Sequence, residues 1–478
     1  MSVFDPRALA ADSGGTWHGF PAVSPTGFGI DSRTLVAGQA FVALTTGRRD
    51  GHEFLGEAAG RGASAAVVSR LVPGTRLPQL LVPDTLAALQ ALARAHRARF
   101  ARPVVAVTGS AGKTSTKDLL AVLLGSPDVV LATEGNLNNH IGVPLTLLRL
   151  DPARHEAAVI EAGISGPGEM DVLGELIRPD VAVITLVAPA HLDRLRSVAG
   201  VAGEKARLAA HLRDGGVAVF PASCLEHEAF RGIPRPVLVA TPPDFRPAIL
   251  PARALAVPFV ARQSGEATQL CLTWHGSVEE FDFRRVSTGM AGNAALALAA
   301  ALHLGVDADT LRTRVHAWRP AAMRGEIIRR DDGIVYLDCY NANPASMLDA
   351  LETFAALAPA AGPRLFVVGC MEELGADSAA LHRATGERWP VREGDRLIIF
   401  GTQAGDLAEG VRSRHRDADL WVNPERAAAT NALREFRGAI FLKGSRRYAL
   451  ETLLEGELAA GAGMHRRASG GGEVRAAC

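Results

Sequence analysis

The sequence predicts an α/β protein of three domains whose central domain is a doubly wound, mostly parallel sheet. Three observations carry that reading. The chain is 478 residues long with 48% apolar residues, enough for about three cores on the length prior. Between residues 103 and 318, β-branched runs (104–107, 157–160, 181–186 and 217–220) alternate with helical stretches, the pattern of parallel strands covered on both faces. The first of those runs ends in Thr108-Gly109-Ser110-Ala111-Gly112-Lys113-Thr114-Ser115, a glycine loop leading into a helix.

That loop is the strongest chemical signal in the chain. Glycines let backbone N–H groups approach phosphate oxygens, a lysine reaches the β/γ-phosphates, and a threonine hydroxyl can ligate Mg²⁺, while the helix N-terminus adds positive potential. The loop is shorter than the usual spacing, which would put a glycine where Val107 stands. Binding of ATP or GTP is expected.

The elements on either side follow in order. In the first hundred residues, β-like runs at 40–44 and 65–69 surround a helical stretch at 53–60, a small α/β unit. Residues 85–99 have helix formers at helical spacing with basic residues in the last turn, a connecting helix. Beyond the parallel strands, 242–285 reads as an antiparallel extension and 291–304 as a buried helix. A third α/β unit begins near residue 327, with strands at 334–337, 365–368, 396–399 and 439–442, and it lacks a Lys-Thr loop of its own. The boundaries expected are 1–100, 101–318 and 319–460, with 461–478 a disordered or inert tail rich in glycine and small residues.

Composition narrows the partners. Lys plus Arg and Asp plus Glu are both 51, so no broad basic field attracts nucleic acid or an anionic membrane. The opening Met-Ser-Val-Phe-Asp-Pro-Arg lacks a charged-then-apolar leader pattern and the apolar stretch 294–304 is too short to span a bilayer, so a cytoplasmic location is expected. Five cysteines without CxxC spacing read as reduced thiols.

Several polar residues fall at strand ends, where open α/β sheets form their ligand crevice. Glu161 closes the strand 157–161 and either holds magnesium or serves as a capping carboxylate. His191 follows the strand 181–187, as a ligand or as a structural histidine. Lys205, on a helix expected over 198–212, is by composition an exposed, solvated lysine. The cluster of Asn136, Asn138 and Asn139 beside Thr133 and Glu134 suits polar recognition better than turn formation alone. Asp338, Asn341 and Asn343 repeat that arrangement after a third-domain strand, and Lys443 with Arg446 adds two cations at another strand end.

These segments, in this order, resemble the Mur ligases of peptidoglycan synthesis, most closely the branch that adds D-alanyl-D-alanine to a UDP-N-acetylmuramoyl-tripeptide. The resemblance rests on Ile30-Asp-Ser-Arg33, Asp50-Gly-His-Glu-Phe54, the phosphate loop, Gly135-Asn-Leu-Asn-Asn-His-Ile-Gly-Val-Pro144, Met323-Arg-Gly-Glu326, Tyr340-Asn-Ala-Asn-Pro344, Gly369-Cys-Met-Glu-Glu-Leu-Gly375 and Lys443-Gly-Ser-Arg446. It implies a P-loop ATPase sheet at the centre, a Rossmann-like C-terminal domain that closes over ATP, and an N-terminal domain that takes the UDP-sugar peptide. By the same resemblance, Asp31, Ser32 and Arg33 meet the nucleotide sugar, with Asn136, Asn138, Asn139, Lys443 and Arg446 also on the substrates. Gly109, Ser110, Ala111, Gly112, Lys113, Thr114, Ser115, Asn293, Arg324, Asp338, Asn341 and Asn343 bind the nucleotide. Thr114, Glu161, His191 and Lys205 are implied at the magnesium site, the lysine in carbamylated form, with Lys113, Glu161, His191 and Lys205 forming the catalytic set. The family's members are usually monomers.

The implied reaction is ATP-dependent ligation of the tripeptide carboxylate to D-alanyl-D-alanine through an acyl phosphate. Other readings are a diamino-acid-adding or polyglutamate-type ligase and a nucleotide-binding regulator that has lost ligation. Two departures bear on them. A Gly-x-His-Asn type segment is replaced by Gly289-Met-Ala-Gly-Asn293, and Lys-Gly-Glu by Lys205-Ala206-Arg207.

Overall fold

The computed structural model describes residues 4–47, 49–245 and 250–454; the stretch 461–478 expected as a tail lies outside them. Three main sheets divide the chain in sequence order. The first has five strands in the order Thr16–His18, Gln79–Leu81, Ala65–Val68, Ala40–Val42 and Phe28–Gly29. All its pairs are parallel except the first. The helix expected over 53–60 is Leu55–Gly60, preceded by a 3₁₀ turn at Gly51–Phe54 that Asp50 caps through the His52 N–H.

The central sheet has nine strands in the order Ser277–Arg284, Ala267–Trp274, Ala254–Ser264, Val237–Thr241, Val217–Pro221, Val181–Ile184, Val104–Thr108, Ala157–Glu161 and Val130–Ala132. Pairing is parallel from Val130–Ala132 through Ala254–Ser264, and the last two strands add the antiparallel extension. The phosphate-loop strand is flanked on both sides, so every residue in it is buried. Val104 and Ala106 face one core while Val105 and Val107 face the other, the two-residue period of a strand covered on both faces.

Two helices differ from the sequence expectation for local reasons. The buried helix expected at 291–304 runs Thr288–His303, because the Ser287 hydroxyl caps it by accepting from the Met290 N–H at 3.0 Å. The helix expected over 198–212 is α-helical for Val198–Ala206 and tightens to 3₁₀ at Arg207–His211.

The third sheet orders Glu326–Arg330, Gly333–Asp338, Ala439–Lys443, Arg364–Gly369, Arg396–Phe400 and Asp419–Val422, antiparallel at the first pair and parallel thereafter. Its core holds the buried ion pair Arg364–Asp395 at 2.5 Å.

The connecting helix Thr85–Ala98 is pinned to the central domain by buried polar groups. The Arg97 guanidinium donates to the carbonyls of Ile177 (2.7 Å), Phe100 (2.8 Å) and Arg178 (2.8 Å), and His96 Nε2 bonds the Leu150 carbonyl at 2.7 Å. Burial lowers the Arg97 pKa to about 10, against the pull of Asp180 in the other direction. One continuous apolar core joins a face of the first sheet, this helix and a face of the central sheet. No helix among the described residues is long and apolar enough to cross a membrane.

Candidate nucleotide-binding active site

The phosphate loop is shaped by two glycines that no other residue replaces. At Gly109 (φ +155°) a Cβ would lie 1.8 Å from the Thr185 hydroxyl, and at Gly112 (φ +78°) it would lie 2.2 Å from Asn293 Nδ2. Thr185 bonds the Ala111 carbonyl at 2.5 Å and the Thr108 carbonyl at 3.3 Å, which ties the loop to the neighbouring strand just where that strand leaves the ladder. Gly112 then caps the helix Lys113–Leu124 without any side-chain bond to its first N–H groups. Those donors are left for an anion.

The loop opens on a cavity of about 450 Å³ between the central and third sheets, within the range of nucleotide-sized sites. Of the residues expected to bind nucleotide, Ser110, Ala111, Gly112, Lys113, Thr114, Ser115, Asn293, Arg324, Asp338, Asn341 and Asn343 line it, and Gly109 lies behind the wall. A larger hollow of about 590 Å³ is walled by Arg94, Arg178, Arg213 and Arg235. It sits by the amino ends of the parallel strands, the edge where these sheets do not bind ligands.

Lys113 Nζ donates to the Gly109 carbonyl at 2.9 Å. Burial pulls its pKa down, partly countered by the Glu161 carboxylate. Glu161 is 2% exposed and accepts from the Thr114 hydroxyl at 2.8 Å and from Asn138 Nδ2 at 2.7 Å. A threonine hydroxyl and a carboxylate in contact at a phosphate loop form an oxygen donor set that fits Mg²⁺, which keeps waters and phosphate oxygens as its other ligands.

Lys205 corrects the solvated reading of its helix: it is 2% exposed. Burial lowers its pKa well below the ordinary lysine range, and the charge of Lys113 pushes the same way. His191, in left-handed backbone (φ +53°), turns to the third domain instead of the cavity, and its Nδ1 pairs with the Glu373 carboxylate. The Leu192 N–H also donates to the Glu373 carbonyl at 3.0 Å. Neither Lys205 nor His191 lines the cavity, and no cluster of three His, Cys, Asp or Glu side chains suited to a metal occurs among the described residues.

From the third sheet, Lys443 Nζ bonds Asp338 at 2.5 Å and the Asn341 carbonyl at 3.3 Å. Arg324 stacks over the Tyr340 ring at 4.0 Å. Asn343 caps the helix Pro344–Leu357 through a reciprocal bond pair with Ser346 and, across the cleft, donates from Nδ2 to the Ser110 carbonyl at 3.0 Å.

The remaining expected residues divide between the cavity and places away from it. Asn136 lines the cavity, but Asn139 accepts from the Ile141 and Gly142 N–H groups, so turn capping occupies its side-chain oxygen. Arg446 pairs with Glu451. Asp31 and Arg33 form an ion pair at 2.6 Å and Ser32 donates to Glu57 at 2.8 Å, all in the first domain. Sequence reasoning missed Thr185, Glu373 and Asp349, whose contacts with the loop, His191 and Gly289 join residues distant along the chain.

Comparison with known proteins accords with this geometry. The Mur ligase middle domain family matches residues 107–235 and the Mur ligase glutamate ligase domain family matches 323–446. The UDP-N-acetylmuramoyl-tripeptide–D-alanyl-D-alanine ligase of Bacillus subtilis is 32% identical over 438 residues, covering 90% of this chain and 92% of the relative. The Escherichia coli enzyme of the same name is 34% identical over 439 residues, covering 89% and 92%. A crystal structure of MurF from Acinetobacter baumannii superposes with TM-score 0.81 at 28% identity, covering 94% of this chain and 97% of the other. MurF from Thermotoga maritima in complex with ADP gives 0.75 at 26% identity, covering 89% and 96%. With its phosphate loop facing the third sheet across one cleft and these relatives matched over nearly their whole length, the chain belongs to the Mur ligase family, in its MurF group.

Proposed function

We propose that this protein joins D-alanyl-D-alanine to UDP-N-acetylmuramoyl-tripeptide at the expense of ATP, in the cytoplasm and as a monomer. The observation that carries the reading is one cavity lined by Lys113, Thr114 and Glu161 from the central sheet and by Asp338 and Lys443 from the third. In this reading residues 1–100 hold the UDP-sugar peptide through Asp31, Ser32 and Arg33, 101–318 bind ATP, and 319–460 close over it and bring the dipeptide.

The tripeptide carboxylate attacks the γ-phosphate of ATP, releasing ADP and forming an acyl phosphate. The dipeptide amine then attacks the acyl carbon, and inorganic phosphate leaves from the tetrahedral intermediate. Lys113 and the uncapped N–H groups of its helix hold the phosphates and offset charge as it develops, which dominates catalysis of phosphoryl transfer. Thr114 and Glu161 would hold a magnesium ion, which would supply further positive charge to those oxygens. Asn138 orients the Glu161 carboxylate. Burial and the charge of Lys113 both lower the Lys205 pKa, which favours the neutral amine that carbamylation uses. Closure of the third domain, latched at Asn343–Ser110 and Glu373–His191, excludes water from the acyl phosphate. The Asn341-Ala-Asn343-Pro344 segment favours this reaction over the other Mur-type ligations.

The test supplies ATP, magnesium, the UDP-muramoyl-tripeptide and D-alanyl-D-alanine and follows both phosphate release and the mass of the amide product. Expected is one phosphate per amide, with each requiring both peptides. Phosphate release indifferent to the peptides, or no amide mass, overturns the proposal.

A further inference from the structure

Two helices frame the part of the cavity beyond the phosphate loop. Thr288–His303 touches the loop where Asn293 meets Gly112. Pro344–Leu357 touches it where its cap Asn343 bonds Ser110. The helices meet each other again at Asp349, whose Oδ1 accepts from the Gly289 N–H at 2.8 Å. Residues 289 and 293 are separated by about 6 Å of helix rise, and 343 and 349 by about 9 Å. This frame and the phosphate loop line one cavity. A nucleotide with its phosphates on the loop can therefore bring its base to Asp349 within the same cavity.

On the first of these helices Gly289, Met290 and Gly292 line the cavity without a hydrogen-bonding side chain, and the polar residue of that wall, Asn293, lies against Gly112. A Cβ at Gly289 would lie 2.7 Å from Asp349 Oδ2, so the glycine is what lets the carboxylate approach. Ser287, Met290, Ala345 and Ser346, which line the same end, are neutral. Oδ1 is engaged with the helix N-terminus, and Asp349 itself lines the cavity. Burial raises the pKa of the Asp349 carboxyl, while the Ser287 and Gly289 hydrogen bonds and the charge of Lys443 act in the opposite direction.

We propose that Asp349 is the base-selecting residue of this chain, its carboxylate accepting a hydrogen bond from the exocyclic amine of adenine. The inference rests on the proposed use of ATP, but its test is equilibrium binding and needs no ligation, so loss of product formation and loss of base selection are separate results. The probes are ATP and purine riboside triphosphate, which differ only in that amine.

Titrated calorimetrically with magnesium present, the wild type should bind ATP at least about tenfold more tightly than the purine analogue, the worth of one hydrogen bond to a charged group. In Asp349→Ala that preference should fall to within about twofold, with the analogue's own affinity within about threefold of its wild-type value. Asp349→Asn, which retains an acceptor oxygen without the charge, should give an intermediate preference. A wild-type protein that binds the two probes equally, an undiminished preference in Asp349→Ala, or an equal loss of both ligands in the variant each overturns the proposal. The last would leave Asp349 as a contact between domains and nothing more.

Discussion

The central and third sheets both place a polar loop and a helix at the carboxyl end of a buried strand, yet the two helix starts are built in opposite ways. After Val104–Thr108 the cap is Gly112, which makes no side-chain bond to the helix and leaves its N–H groups open. After Gly333–Asp338 the cap is Asn343, which with Ser346 satisfies the helix start from within. An open helix N-terminus takes a phosphate, whereas a self-capped one has fewer donors to offer. The third domain therefore contributes side chains across the cleft: Asn343 to Ser110, Glu373 to His191, and Lys443 held by Asp338.

The sharpest way to break this contrast is at the open end. Lys113→Ala should lower kcat/KM for ATP by about 10³, roughly 4 kcal/mol of transition-state stabilisation, with the thermal midpoint nearly unchanged; steady-state amide formation measures it. Next in size, Gly112→Ala forces a Cβ against Asn293 Nδ2 and a left-handed φ on a non-glycine residue. It should weaken ATP binding about 10²-fold and cost about 1–3 kcal/mol of stability, read by calorimetric titration and denaturant unfolding.

At the closed end the two jobs of one side chain can be separated. Asn343→Asp keeps an oxygen for the cap but cannot donate to the Ser110 carbonyl, so kcat/KM should fall about tenfold while stability holds. Asn343→Ala should lose both, with about 1 kcal/mol of stability going with the cap. Smallest of all, Glu373→Gln should change turnover by less than threefold at physiological salt, because the pair is partly exposed and screened. A tenfold effect there would make His191–Glu373 the principal latch.

The open end was readable from the chain because its chemistry is local. Strand, Gly109, Gly112, Lys113 and Thr114 follow one another, and the parallel core shows as runs of Val, Ile and Ala. What joins distant segments was not. Lys205 has the composition of a surface lysine, and its burial follows only from the packing of Val198–Ala206. His191 sits at a strand end suited to a ligand, but its partner comes from the third sheet. Asn139 shows how a recognition cluster can hide a cap, since its oxygen is spent on two backbone donors. Asp349 lies on a helix face among Leu, Ala and Met, where nothing in the spacing sets it apart. The replacement at residues 289–293 was visible as a departure, but the carboxylate beside it was not.

Arg97 gives the molecule a mechanical asymmetry. A guanidinium at the root of the connecting helix, bonded to the Ile177 and Arg178 carbonyls of the central domain, is a rivet: swinging the N-terminal unit would strand both acceptors at once. Among the described residues the opposite side is spanned by single bonds such as Asn343–Ser110 and Gly289–Asp349, which can be made and released one at a time. In the proposed working cycle, large excursions therefore fall to the C-terminal lobe, which would swing like a jaw against a two-domain anvil.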